Sequence, residues 1–496
     1  MTAAPGARGS YHGHMLEPSR ARHGLRTLLP ALLVALVVAT GLAVAPVAGD
    51  QTALAAGAPR VPAAITSLKA TGGKKPGTVR FRWKQDKAHT SYYVLELATS
   101  AFGGVGLPAR GKNYLRVRIP RSATSYTLSA KKAARAGSPV GSGAYLYYRF
   151  KAVDAAGGRT AERKVPLRAV LPSPVPPAKK GTRLRVASYN IASVKATLGS
   201  RPGGPWSQRV DKAARIIVRS RAAIVGVQEV GPGNAVDGGS TEHGTRQSQV
   251  ESLVAAVGRA RGDDRYQMVR KTAYWAPGTK HGTQGERILY DTTRYRLVSD
   301  CPELTDGDDW SDSCTIQLPV GPKDSPLERR RSVYAQFESI KTGARFWFVS
   351  CHLDSRKSDE RSVQRRNSTL RKRQAKKIAS TMARLNKGLH LPIIVTGDLN
   401  DWQNDQAKGN PPHELFVKRG YYDASAAKKR VNTALGTVSQ WKTTVAPGPS
   451  GFGTRFDYIL VHGVRGAKKY VNTMVRKDAR RASDHALVHA TLRLPS

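Results

Sequence analysis

At 496 residues the chain is too long for one compact core, and about 150 residues per domain predicts two or three units, read here as two. Lys and Arg number 81 against 35 Asp and Glu, for a formal charge of +46 and a pI near 10.6. Such a field attracts polyanions: nucleic acid, anionic lipid or acidic glycans. The blander reading is the solubility bias of an Arg-rich proteome, although the excess far exceeds the magnitude of about 2–8 usual for a small soluble domain. Only three cysteines occur, too few for a disulfide framework.

Residues 1–56 read as a leader. Arg20, Arg22 and Arg26 precede an apolar stretch from Leu28 to Ala48, and Ala53-Leu54-Ala55 supplies the small-x-small pattern of a signal-peptidase site. Secretion is the expectation. An uncleaved anchor is the rival, because about 20 apolar residues span a bilayer.

Residues 60–170 alternate in the manner of strands: VRFRW (79–83), YYVLEL (92–97), TSYTL (124–128) and YLYYRFKAV (145–153), broken by Gly, Pro and Lys, with no convincing helix. Short strands at this spacing predict an all-β sandwich. Trp83, Tyr93 with Leu95, Tyr126 with Leu128, and the run Tyr148–Val153 before the turn Asp154-Ala155-Ala156-Gly157 resemble a fibronectin type III domain. That resemblance implies an immunoglobulin-like sandwich acting as a spacer or a basic platform for anionic surfaces or glycans, with nothing catalytic in it. The segment 171–182 opens with Leu171-Pro172-Ser173-Pro174-Val175-Pro176-Pro177 and reads as a stiff, extended linker.

From residue 183 to 495 strands interleave with helices. Helical periodicity is expected over 207–221, 247–261 and 360–386. The last puts Leu370, Ile378, Met382 and Leu385 on one face and cations on the rest, either a solvated surface or a phosphate-backbone contact. Strands first and helices outside predict an α/β layered fold. Cys301 and Cys314 flank the acidic loop TDGDDWSD and are candidates for a disulfide. Cys351 in FWFVSCH reads as a buried core thiol, with a nucleophilic Cys beside His352 as the alternative.

Four fragments at strand ends carry the chemistry: SYN (188–190), QE (228–229), GDLND (397–401) and SDH (483–485). Hydrolysis of a phosphodiester needs an activated water, charge neutralisation on the phosphoryl oxygens, and a proton or metal for the leaving oxygen. Glu229 is a hard oxygen ligand suited to Mg²⁺, Asn190 and Asn400 offer amides, Asp398 is placed to orient or deprotonate water, and His352 and His485 titrate in the right range.

In this order the fragments resemble the endonuclease/exonuclease/phosphatase superfamily, across essentially all of 183–495. The resemblance implies a deoxyribonuclease I-like two-sheet α/β sandwich with its site at one edge of the sheets, and a divalent metal, Mg²⁺ with Mn²⁺ or Ca²⁺ as alternatives. It implies metal-site roles for Asn190, Glu229 and Asp484, and catalytic roles for His352, Asp398, Asn400 and His485, with Asp457 of FDYIL orienting His485. Glu286 of ERILY looks like the partner of the first His in deoxyribonuclease I-like members, and Arg331 resembles a DNA-proximal Arg. After Glu229 the chain reads Val230-Gly231-Pro232-Gly233, without the Arg used against the minor groove. The expectation is therefore a monomeric secreted nuclease on DNA or RNA, with a phospholipase C of the sphingomyelinase kind or a small-molecule phosphatase as the alternative.

Overall fold

The computed structural model describes residues 65, 67–84, 90–101, 107, 111–154, 167–194, 203–230, 248–271, 285–303, 313–324, 329–404, 410–448 and 450–495. The expected leader lies outside these, as does the glycine-rich stretch after Val230. Among the described residues no helix is long and apolar enough to cross a membrane. Residues from Ala58 onward form one compact unit.

The N-terminal strands are β1 (Lys69–Gly72), β2 (Val79–Arg82), β3 (Tyr92–Ala98), β4 (Tyr114–Pro120), β5 (Ser125–Leu128), β6 (Leu146–Val153) and β7 (Arg168–Val170), with one helix, α1 (Ala130–Arg135). They make two antiparallel sheets, ordered β1-β2-β5 and β4-β3-β6-β7. Inward residues of both sheets meet: Phe81 of β2 packs edge-on against Tyr148 of β6 at 5.2 Å, and Trp83 lies 4.6 Å from Phe150. The helix corrects the expectation of none. Ser129 accepts from the Lys132 amide and so starts a turn that propensity alone would not. β4 was legible but unread, since Leu115, Val117 and Ile119 point inward between exposed Arg116 and Arg118.

The second region contains β8 (Thr182–Asn190), α2 (Trp206–Ser220), β9 (Ile224–Val230), α3 (Gln249–Arg261), β10 (Tyr266–Met268), β11 (Gly285–Asp291), β12 (Tyr295–Leu297), β13 (Thr315–Gln317), β14 (Arg331–Ser339), β15 (Arg345–His352) and α4 (Arg361–Leu385). It continues with β16 (Ile393–Asp398), α5 (Pro411–Lys418), β17 (Tyr422–Asp423), β18 (Lys429–Val431), β19 (Asp457–His462), β20 (Lys469–Asn472) and β21 (Val488–Leu494). Two mixed sheets result, β10-β11-β9-β8-β21-β20-β18 and β12-β14-β15-β16-β19-β17, with β13 paired to β14. Between them lies a core built from Val186, Ile224 and Ile288 on one side and Phe348, Ile394 and Ile459 on the other. α2 and α3 cover the outer face of the first sheet, and α4 and α5 that of the second. The architecture is an α/β sandwich of two mixed sheets.

Local chemistry explains the helices. Ser248 and Glu251 form a capping box at α3, and Gly262 ends it with a left-handed φ of 86°. Asn410 caps α5 ahead of Pro411, where proline costs nothing. α4 buries Ile378, Ala379 and Met382 late and polar Gln364, Ser368 and Arg371 early. Its polar half is docked by Asp401 of GDLND, which accepts from Ser368 Oγ (2.6 Å) and Arg371 Nε (3.1 Å) with both charged groups fully buried. Asp401 is thus committed to holding a helix.

The proline-rich segment does not span open space. Ser173 exchanges backbone hydrogen bonds with Gly77 and Thr78, Val175 packs on the inter-sheet core, and Arg493 donates to the Gly181 carbonyl. Cys301 and Cys314 are joined in a disulfide, and Cys351 is buried with its thiol pushed well up by desolvation, the behaviour of an inert core residue.

Candidate active site

Register brings the polar residues together. In the second sheet His352 of β15, Asp398 of β16 and Asp457 of β19 occupy one row across three adjacent strands. In the first sheet Asn190 at the end of β8 pairs with Gln228 of β9, next to Glu229. The two sheets come close beneath them: a side chain at Gly226 would collide with Thr396, and Gln228 Nε2 donates across the gap to Ser350 Oγ at 3.0 Å. SDH enters from the loop before β21, where Ser483 Oγ donates to the Asn190 carbonyl at 2.7 Å.

Backbone constraint accompanies this convergence. Glu229 and Asn400 adopt left-handed φ of 59° and 51°, an arrangement that costs free energy and persists where the surroundings over-determine it. Gly397 has φ of 153°, and a Cβ there would meet the Cys351 carbonyl, so the residue before Asp398 must be glycine.

Asn190 Nδ2 donates to Glu229 Oε1 (2.9 Å) and Asp398 Oδ2 (3.4 Å), tying the two sheets' carboxylates together. Glu229 Oε2 accepts from the Ser193 amide (3.2 Å), and Asp398 Oδ1 from the Asn400 amide (2.7 Å). Asn400 spends its Nδ2 on the Leu353 carbonyl (3.1 Å). Asp398 Oδ2 lies 3.6 Å from His352 Nε2 and 3.7 Å from His485 Nε2, between the two rings. His485 Nδ1 sits 3.0 Å from Asp457 Oδ2, which leaves Nε2 facing the site.

The two histidines are shifted in opposite directions. Burial disfavours a charged His485, but Asp457, then Asp484 and Asp398, raise its pKa well above the usual value. Opposite charges about 4 Å apart interact by about 4 kcal/mol at an effective dielectric of about 20, so three carboxylates outweigh the desolvation. His352 is pushed well below the usual value, first by burial, then by Arg330, His485 and Lys357. Asp398 is itself pushed up to about 7 by burial, with His485 pulling it down and Asp457 and Glu229 pushing it up.

Glu286 is brought to the same end of β11, but it makes neither a hydrogen bond nor an ion pair with His352. The expected pairing is corrected: β11 neighbours β9 in the first sheet, so Glu286 feels Glu229 and Arg330, and burial pushes it up to about 8. Arg331 opens β14. Its guanidinium donates to Thr315 Oγ1 (3.0 Å) on the neighbouring strand, whereas Arg330 donates to Ser355 Oγ (2.8 Å) and acts electrostatically on both Glu286 and His352. Arg330 precedes β14, which begins at Arg331, and the triplet Arg329-Arg330-Arg331 hides the difference from the sequence.

Asp398, Asp457 and His485 are the group among the described residues whose ligating atoms all lie within 4.8 Å of one another, a candidate divalent-metal site. The neighbouring carboxylates of Glu229 and Asp398 also suit a hard cation, and Asn190 turns its Nδ2 toward both while its Oδ1 accepts from the Ala192 amide (3.1 Å). Asp484 contributes its carbonyl to the Ser439 amide (2.6 Å) and a carboxylate oxygen to Ser483 Oγ (3.4 Å). It stands behind His485 and outside the three-residue group.

Residues 187–485 match the Endonuclease/Exonuclease/phosphatase family. Similar solved structures include an endonuclease/exonuclease/phosphatase family protein from Bacteroides thetaiotaomicron, 23% identical over 63% of this chain and 98% of that one, TM-score 0.44. The mannosyl-6-phosphatase of B. thetaiotaomicron VPI-5482 is 23% identical over 62% and 99%, TM-score 0.44. D. rerio TDP2 complexed with single-strand DNA product is 15% identical over 63% and 99%, TM-score 0.38. Comparison with curated proteins gives no match.

Proposed function

Because the chain belongs to the endonuclease/exonuclease/phosphatase family and is a phosphoester hydrolase of that kind, we propose that it is a secreted, Mg²⁺-dependent phosphodiesterase acting as a nuclease on DNA or RNA. The observation that carries the reading is Asp398 set 3.6 and 3.7 Å from two histidines, one of them held by Asp457 at 3.0 Å.

In this reading Asp398 orients and deprotonates the attacking water, and cationic His485, its far nitrogen fixed by Asp457, binds the phosphoryl oxygens or protonates the leaving oxygen. Neutral His352 and the Asn400 amide hold the phosphate group. Glu229 and Asp398 hold the cation, with Asn190 orienting both carboxylates through its Nδ2, since Asp457 and His485 are already spent on one another. A bound divalent ion supplies charge neutralisation and lowers the pKa of water and of nearby carboxyls. A polymeric substrate is favoured by α4, whose exposed face carries Arg361, Arg365, Arg366, Lys372, Arg373 and Lys376.

The second reading, a phospholipase C or a phosphatase of small metabolites, is favoured by Val230 after Glu229 in place of a groove-reading arginine. Purified protein should be assayed with Mg²⁺ and with EDTA on plasmid DNA, RNA, sphingomyelin and inositol phosphates. Metal-dependent degradation of nucleic acid is expected; hydrolysis of lipid or small phosphates alone would overturn the nuclease reading and keep the site chemistry.

A further inference from the structure

The strands bearing Asp398 and Asp457 run on into two irregular segments, 399–404 and 452–456. Beyond the Leu399 amide's bond to the Phe456 carbonyl (2.9 Å) they do not continue as a ladder. Trp402 and Phe456 touch at 5.0 Å, one residue before Asp457 and two after Asn400. Segments of this kind sit at the low end of local stability, yet catalytic groups must hold their geometry to about 0.5 Å.

The second region holds parts of both segments, Asp401 through Ser368 and Arg371 and Phe456 through Thr437, and the N-terminal sandwich adds a further set of restraints. Gln403 Nε2 donates to the carbonyls of Thr99 (2.6 Å) and Tyr145 (2.7 Å). Asn404 Nδ2 donates to Tyr147 OH at 2.7 Å. Phe452 stacks on Tyr145 at 4.4 Å with the rings 16° apart. A third anchor lies alongside: the Asp423 amide donates to the Gly141 carbonyl (2.7 Å), and Asp423 holds Arg455 at 2.9 Å, two residues before Asp457. Positive φ at Gly141 and Gly143 lets the sandwich backbone press against Tyr422, Asp423 and Ser425.

We propose that the N-terminal sandwich is a positioning element of the catalytic centre: Tyr145 and Tyr147 clamp segments 399–404 and 452–456 and thereby fix Asn400, Asp398 and Asp457. The proposal rests on the reading of that cluster as catalytic. It replaces the expectation of a spacer with nothing to do in hydrolysis. Tyr145 and Tyr147 touch none of the reacting groups; they act through Gln403, Asn404 and Phe452.

The test uses full-length protein and bis(p-nitrophenyl) phosphate, a probe too small to need a polymer-binding platform. Tyr145→Ala and Gln403→Ala are expected to lower kcat about tenfold with KM little changed, while Tyr145→Phe, which keeps the stacking, behaves as wild type. Hydrogen exchange of the Leu399, Asn400 and Phe456 amides is read in the same proteins and is expected to quicken in the two alanine variants. Wild-type kcat and wild-type exchange in both would overturn the proposal, and so would an equal loss in Tyr145→Phe. Should the wild type hydrolyse no diester, the functional reading fails, and exchange alone decides: quickening in 399–404 upholds the clamp, no change overturns it.

Discussion

The β19–β21 side of the cleft and the β11–β15 side each present a histidine and a glutamate or aspartate, yet they have been driven to opposite electrostatic states. On the first, Asp457 lies 3.0 Å from His485 and keeps it charged. On the second, burial and the cations Arg330 and Lys357 keep His352 neutral, and Glu286, without a basic partner in contact, is pushed up to about 8. Residue type does not assign a role in this site. What assigns it is which strand lies next door: β19 delivers a carboxylate to His485, while β11 delivers its carboxylate to a neighbour that is also acidic.

The sharpest way to break that contrast is to remove the group both sides share. Asp398→Ala should lower kcat/KM by about 10³-fold or more, as loss of a central acid–base group does, with an unchanged circular dichroism spectrum; turnover within tenfold of wild type would remove Asp398 from the reaction.

Asp457→Asn should cost about 10²-fold in kcat and should erase the difference between the histidines. Because His485 is raised in the folded state, the stability it contributes is complete below its unfolded value of about 6.5 and fades as pH rises through the raised value. The melting-temperature gap between wild type and Asp457→Asn should therefore be widest below neutrality and narrow in alkali. A gap that widens with pH would mean that Asp457 does not hold a charged ring.

Arg330→Ala sharpens the other side. Loss of this cation should move the His352 titration seen by NMR upward and lower activity by a few-fold, while Arg331→Ala, whose guanidinium faces Thr315, should leave that titration in place. The reverse pattern would restore Arg331 to the site.

Glu286→Gln should have the smallest effect. Gln imitates the protonated carboxyl, so activity below about pH 8 should stay close to wild type. The raised pKa means that wild type loses stability as pH climbs from the ordinary glutamate value of 4.5 through about 8. The variant should thus melt progressively higher than wild type over that range, and a large activity loss at pH 6 would show that Glu286 works as an ionised partner after all.

Much of the catalytic region was readable because apolar runs of β-formers ending in small or polar residues mark strand ends without ambiguity. SYN, QE and GDLND are at such ends, SDH lies in the loop that leads into β21, and the three longest helices fall within two residues of the periodic segments, α4 at Arg361–Leu385 against an expected 360–386. α1 and α5 escaped because a helix of six or eight residues carries too little periodicity, leaving only the Ser129 and Asn410 caps as signals. Asp401 of GDLND is a helix anchor, held by Ser368 and Arg371, which no property of the fragment itself reveals.

Sequence by itself determined which polar residues stand near strand ends and that they would meet, since alternation and strand polarity are local properties of the chain. Only the tertiary structure decided that Glu286 makes no bond with His352, that Arg330 acts electrostatically on both, and that the sandwich lies against the segment that follows Asn400. Those outcomes depend on register between strands far apart in the chain and on the dielectric that packing creates around each charge, and neither is written in any single stretch of residues.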